Sequence, residues 1–302
     1  MEIKKLNGLI AAAFAPMHED GSLKLGIIKD YAQKLKDDGL SGVFINGTSG
    51  EGVSLSVDER KAVLEEWIRY GDGNFKILVH VGANSYVDSM VLAEHAQNKG
   101  VDGIASISPT YFKPESVDQL VEYCRLVASA APRLPFYYYV IPSFTGINLS
   151  VKDFLIKGGE QIPTLAGIKF THSDISEMQG CINIEKGKFD IIHGFDEMLI
   201  GGLALGIKAA IGSTYNYMAP VYLDLIKAFN KGDLIEARRL QGESVALVEI
   251  LKRNGGGIVA GKAVSSLYGI DVGPCRLPLK QLSSSELDKL KKELNGHKYF
   301  EV

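Results

Sequence analysis

The chain has 302 residues, 46% of them hydrophobic, with 33 basic and 36 acidic side chains and a formal net charge of −3. That composition supplies one large core, and since (β/α)₈ barrels typically take about 250 residues as one domain, length does not demand two. Interspersed charge without a basic run argues against nucleic acid, and the apolar stretch at 9–15, ended by Pro16, is too short to span a membrane, which leaves a small-molecule substrate as the expected partner.

The elements alternate along the chain. Apolar runs at 9–14, 42–46, 77–81, 103–106, 136–139, 167–169, 190–193 and 209–211 predict strands. Between them 25–38, 57–70, 86–99 and 117–130 carry apolar residues at three- and four-residue spacing and predict helices. Ser56 followed by Glu59 marks a capping box at the second helix. Eight strand–helix units predict parallel strands joined by right-handed crossovers. A doubly wound sheet is the competing arrangement, but no dinucleotide-binding glycine pattern follows the first strand, so the expectation is an α/β fold, a closed (β/α)₈ TIM barrel. After Tyr217 the strand patterns stop, and 221–230, 234–252, 265–268 and 285–294 predict helices. The barrel and its active site are therefore expected over residues 1–220, with a C-terminal helical extension packed on it over 221–302. Cys124, Cys181 and Cys275 are odd in number, far apart and form no CxxC pair, which suits a reducing, cytoplasmic setting.

In such a barrel the reactive groups sit at the C-terminal strand ends. The sixth strand ends in Gly167-Ile168-Lys169, and lysine is rare in a buried apolar run. An amine withdrawn from water is held less firmly in its charged form and attacks a ketone, giving an iminium that accepts electrons when a neighbouring carbon–carbon bond breaks. A strand-end lysine reaching solvent is the alternative. Gly47-Thr48-Ser49-Gly50-Glu51, after the second strand, sets two hydroxyls in a turn suited to a substrate carboxylate, or forms an ordinary glycine-rich connection. Glu51 stands where a nucleophile elbow needs its last glycine, which removes Ser49 as an acyl nucleophile. Tyr137 and Tyr139 share one face of the fifth strand; if inward, the Tyr139 phenol can both donate and accept at one substrate oxygen. Asp196 and Glu197 suit sugar hydroxyls, or simply begin a solvated helix. Ser213 and Thr214 either face the site or cap the next helix.

Two motifs mislead. Residues 256–263 imitate a phosphate-binding loop, but Ala263 replaces the required Ser or Thr and the segment follows a helical pattern. The six histidines show no metal-ligand spacing, so no metal site is expected.

The 47–51 turn, the tyrosine before Ile141-Pro142 and the Gly167-Ile168-Lys169 strand end, in this order along nearly the whole chain, resemble the dihydrodipicolinate synthase / N-acetylneuraminate lyase family. Residues 135–142, Thr145-Gly146, Phe195-Asp196-Glu197 and 212–216 resemble its lyase branch, and 54–57 and 276–279 its eukaryote-like members. The synthase branch usually has an arginine just after the proline to hold a dicarboxylic partner; here Ser143-Phe144-Thr145 offers no such cation.

The resemblance implies a carbon–carbon lyase that cleaves N-acetylneuraminate reversibly to N-acetylmannosamine and pyruvate through a Schiff base, with no cofactor. It implies Lys169 as nucleophile, Tyr139 as proton relay, and Thr48 and Ser49 as the carboxylate site. Thr171, Gly194, Asp196, Glu197, Gly212 and Ser213 match positions that bind the sugar chain. Tyr111 matches a tyrosine that reaches a neighbouring subunit's site in a homotetramer. The alternative within the family is another 2-keto acid aldolase or hydro-lyase, of the dihydrodipicolinate synthase or keto-deoxy sugar acid type. A catalytically silent binding protein is a further alternative, against which intact Lys169 and Tyr139 argue. The glycines at 255–257, where some relatives have a bulkier residue, imply room for larger acyl groups.

Overall fold

A computed structural model describes residues 3–297, 299 and 300, so residues 1, 2, 298, 301 and 302 of the two expected regions lie outside the described residues. Strands β1 (Gly8–Ala12), β2 (Gly42–Ile45), β3 (Lys76–His80), β4 (Gly103–Ser106), β5 (Phe136–Val140), β6 (Leu165–Phe170), β7 (Asp190–His193) and β8 (Ala209–Gly212) form a closed barrel in chain order. Every neighbouring pair is parallel, and β1 closes onto β8 in the register Ile10–Ile211. Around it run α1 (Ile28–Asp37), α2 (Val57–Trp67), α3 (Tyr86–Lys99), α4 (Val117–Ser129), α5 (Pro142–Thr145), α6 (Val151–Gln161), α7 (Ile175–Ile182), α8 (Leu199–Ala204) and α9 (Tyr215–Asn230). The chain ends in α10 (Leu234–Arg253), α11 (Gly256–Leu267) and α12 (Ser284–Leu294).

The period-two geometry of a strand divides the core in two. Ile10, Phe44, Leu78, Tyr137, Tyr139, Ile192 and Ile211 pack inside the barrel. Leu9, Val43, Ile77, Tyr138, Ile168 and Ile191 face the surrounding helices. The fifth strand follows this rule, with Tyr137 and Tyr139 inward and Tyr138 outward against Phe154, ring centroids 4.6 Å apart. Helix starts are fixed by side-chain caps: Ser56 and Glu59 form the expected capping box, and Ser85, Ser116 and Ser150 cap α3, α4 and α6. Each such cap contributes on the order of 1 kcal/mol.

Most element boundaries shift by one to three residues from the sequence reading, and some of the differences bear on the site. Ala13 and Phe14 leave β1, with Ala13 N–H still donating to Phe44 O at 3.1 Å. The expected helical run at 265–268 is the tail and C-cap of α11, which starts at Gly256. Glycine disfavours helix, but here tertiary packing overrides propensity: a Cβ on Gly261 would lie 2.9 Å from the Phe14 ring, so the bare backbone lets α11 lie against the barrel. The phosphate-loop imitation is thus a helix. Finally, α9 spans Tyr215–Asn230 with a kink at Met218, so the expected division at residue 220 lies within that element. Among the described residues no helix is long and apolar enough to cross a membrane. Cys124, Cys181 and Cys275 are buried and unpaired.

Candidate active site

Six strand ends, those of β1, β2, β5, β6, β7 and β8, converge on a cleft of about 260 Å³. Lys169, Tyr139, Thr48, Ser49, Thr171, Gly194, Asp196, Glu197, Gly212 and Ser213 all line it. Tyr111 does not; it is 80% exposed, with its ring edge-on to that of Phe112.

Lys169 is the centre. It is 4% exposed, so it is not a lysine reaching solvent. The β5–β6 register pairs it with Tyr139, and its Nζ sits 3.7 Å from the centroid of the Tyr139 ring and 5.3 Å from that of Phe44. The Tyr139 phenol lies 3.1 Å from Thr48 Oγ1. Amine, phenol and the Thr48–Ser49 turn are therefore contiguous.

The turn is held from below and behind. Asn46 and Glu51 bracket it with left-handed φ of 57° and 49°, a conformation costly for residues other than glycine and sustained only by surrounding contacts. His80, at the end of β3, places Nδ1 3.0 Å from Asn46 O, and its Nε2 accepts from Ile107 N–H. That pattern requires the neutral Nδ1–H tautomer, and burial pushes the imidazole well below its usual range. Behind the turn Glu51, 3% exposed, meets Lys262 of α11 at 2.6 Å and accepts from Arg276 N–H at 2.7 Å. Lys262 donates in turn to Ala15 O and Pro274 O. The Glu51–Lys262 contact is close but poorly aligned as a hydrogen bond.

Opposite the turn, Asp196 lies on the loop after β7. Its Oδ2 accepts from Thr214 N–H at 2.9 Å and from Thr214 Oγ1 at 2.7 Å, while Oδ1 has no protein partner. Burial raises its pKa to about 6, against the lowering effect of the two Thr214 bonds. Asp196 is thus buried rather than the solvated helix start that the sequence left open, and Thr214 serves this carboxylate. Two glycines make space: a Cβ on Gly212 would lie 1.7 Å from Asp196 Oδ1, and one on Gly194 2.0 Å from Thr171 Oγ1. The Thr171 hydroxyl is itself buried without a protein partner. Glu197 is half-buried and 3.6 Å from Lys252 of α10.

Reading strand ends alone missed one wall. Val248, Leu251 and Lys252 of α10 and Gly257 and Ile258 of α11 complete the cleft. Lys262 was a detectable signal, a lone cation within an apolar helical run, but its partner is more than two hundred residues away in sequence. A larger cavity of about 630 Å³ lies beside α6 and α7, where His172, Asp174 and Glu177 approach one another. Its carboxylates serve helix starts: Asp174 accepts from Glu177 N–H, and Glu177 from Val151 N–H.

Residues 5–297 match the Dihydrodipicolinate synthetase family. The chain belongs to that family. Its relatives include the N-acetylneuraminate lyase of Gallus gallus, 42% identical over 97% of this chain and 96% of that protein. The N-acetylneuraminate lyase of Rattus norvegicus is 40% identical over 92% of this chain and 88% of that protein. Among solved structures, the Proteus mirabilis N-acetylneuraminate lyase superposes with a TM-score of 0.95 at 41% identity, covering 98% of this chain and all of the other. The family match therefore spans nearly the whole chain, barrel and helical extension together.

Proposed function

We propose that the protein is a Schiff-base aldolase that cleaves N-acetylneuraminate reversibly to N-acetylmannosamine and pyruvate. The observation that carries this reading is Lys169, buried at the end of β6 and against Tyr139, in a chain about 40% identical to proteins named N-acetylneuraminate lyase over nearly its full length.

In this reading the substrate carboxylate binds the Thr48–Ser49 turn, bringing the keto carbon to Lys169 Nζ. The amine adds to that carbon and water leaves, giving an iminium. Tyr139, hydrogen-bonded to Thr48, relays the proton from the C4 hydroxyl. The C3–C4 bond breaks, its electron pair flows to the iminium nitrogen, and the aldehyde of N-acetylmannosamine departs. The remaining enamine takes a proton at C3, and hydrolysis of the new iminium frees pyruvate and restores the amine. Thr171, Asp196, Glu197 and Ser213 bind the sugar chain, with Gly194 and Gly212 leaving room for it.

The exposed Tyr111–Phe112 pair suits a homotetramer in which Tyr111 reaches a neighbour's site. Three unpaired thiols suit a cytoplasmic enzyme. Phe144 at the cleft mouth, in place of a cation, disfavours a dicarboxylic partner. Incubation with N-acetylneuraminate and an assay for pyruvate tests the reading. Release by the native chain supports it, and no release would leave another 2-keto acid as the substrate.

A further inference from the structure

Asp196 is the end of a chain of buried hydroxyls that leads away from the cleft into the C-terminal helices. Thr214 Oγ1 donates to Asp196 Oδ2 at 2.7 Å and lies 2.6 Å from Tyr222 Oη of α9. Tyr222 Oη lies 2.8 Å from Ser244 Oγ of α10. Thr214, Tyr222 and Ser244 are each no more than 1% exposed. Each hydroxyl carries one hydrogen, which sets the direction of the chain. With Asp196 ionised, Thr214 spends its hydrogen on Oδ2, so Tyr222 donates to Thr214 and Ser244 donates to Tyr222. The main-chain carbonyl of Asp196 is then served by Gln241 Nε2 at 3.2 Å. All three hydrogens point toward the carboxylate. Ser244 Oγ is also 3.2 Å from that carbonyl, so the ring can run the opposite way when the carboxyl is protonated.

We infer that Tyr222 and Ser244 are positioning residues for sugar recognition: acting through Thr214, they fix the orientation of the buried Asp196 carboxylate in the cleft wall against which the substrate chain binds. The inference rests on the aldolase reading above. Asp196 lines the cleft; its Oδ1 is buried without a hydrogen-bond partner in the protein, and its Oδ2 is engaged by Thr214. Truncating the chain at Tyr222 leaves Thr214 without its donor and free to turn away.

The charged and titratable groups around Asp196 are few. Glu197 is its neighbour on the same loop and pairs with Lys252 of α10; Lys169 faces it from β6; Tyr215, Tyr217 and Tyr222 face it from α9. Tyr215 lies close enough to feel the charge, but no aligned hydrogen bond joins it to Oδ1. Of these groups Asp196 is raised to about 6, and removing donors that stabilise its ionised form raises it further.

The test uses Tyr222→Phe and the smaller change Ser244→Ala, each compared with the native chain by thermal melting, by borohydride trapping of pyruvate, and by the pH dependence of kcat/KM on N-acetylneuraminate. The expected result is unchanged trapping, because Lys169 and the carboxylate turn are untouched. KM for the sugar acid is expected to rise roughly tenfold in Tyr222→Phe, the effect of losing an interaction of ordinary hydrogen-bond strength. The acid limb of the profile moves to higher pH in both variants, further in Tyr222→Phe. An unmoved acid limb and unchanged KM in either folded variant would overturn the inference, as would trapping that falls in step with sugar cleavage. If Tyr222→Phe does not fold, Ser244→Ala decides by the same criteria. Failure of the native chain to trap pyruvate would refute the aldolase reading itself, and this inference would fall with it.

Discussion

Replacing Asp196 by asparagine separates stability from activity. The native carboxyl is raised from its ordinary 3.8 to about 6, mainly by burial. A raised carboxyl pKa means that the folded state holds the proton more tightly than the unfolded chain. The ionised group therefore destabilises the fold above about pH 6, and the penalty disappears as the pH falls below the unfolded value. That tighter hold on the proton amounts to about 3 kcal/mol at pH 8. Asparagine keeps the shape, and its carbonyl accepts both Thr214 hydrogens while the amide NH₂ takes the place of Oδ1. The variant should be more stable than the native chain by up to about 3 kcal/mol at pH 8 and by about half that at pH 5. Urea unfolding at the two pH values measures this. Sugar cleavage should fall, because an amide donor replaces the free acceptor Oδ1. A variant less stable at pH 8, or an advantage that fails to shrink as the pH falls, would refute the reasoning.

Other expectations follow from single contacts. Tyr139→Phe removes the phenol that touches Thr48 and should slow cleavage by roughly 10²–10⁴-fold, the range for loss of a positioned proton relay, which single-turnover kinetics would show. Lys262→Met leaves the buried Glu51 without its cation; a loss of about 3–5 kcal/mol in chemical unfolding is expected, and a neutral result would mean that the ion pair does not hold the turn. Gly212→Ala drives a methyl into Asp196 Oδ1, so KM for the sugar acid should rise while pyruvate trapping persists. Gly257→Phe fills open space on the cleft wall, where an added Cβ meets nothing within 4 Å; relative activity on N-glycolyl and O-acetylated sialic acids should drop against N-acetylneuraminate, and an unchanged ratio would place the acyl group elsewhere.

Much of this molecule was legible because barrel geometry converts sequence pattern into position. Eight apolar runs named the strands, and the strand ends then named the cleft, since Lys169, Tyr139 and the 47–51 turn must meet where parallel strands finish. Period-two alternation put Tyr137 and Tyr139 on one face, and the closed barrel is what turns that face inward. What stayed hidden depends on contacts between distant segments. Nothing local to Glu51 tells that Lys262 will neutralise it, and nothing in the glycines of 255–261 tells that they begin a helix whose Gly261 packs closely on Phe14. The same holds for the role of Gly212: the motif was visible, but the reason, a carboxylate oxygen where a side chain would begin, appears only in three dimensions.

The most direct test of the account is covalent. Pyruvate and borohydride should add a single reduced adduct to the native chain, located by peptide mass spectrometry on Lys169 and missing from Lys169→Ala. An adduct on another lysine, or an equal adduct in the Lys169→Ala variant, would contradict the assignment on which the mechanism is built.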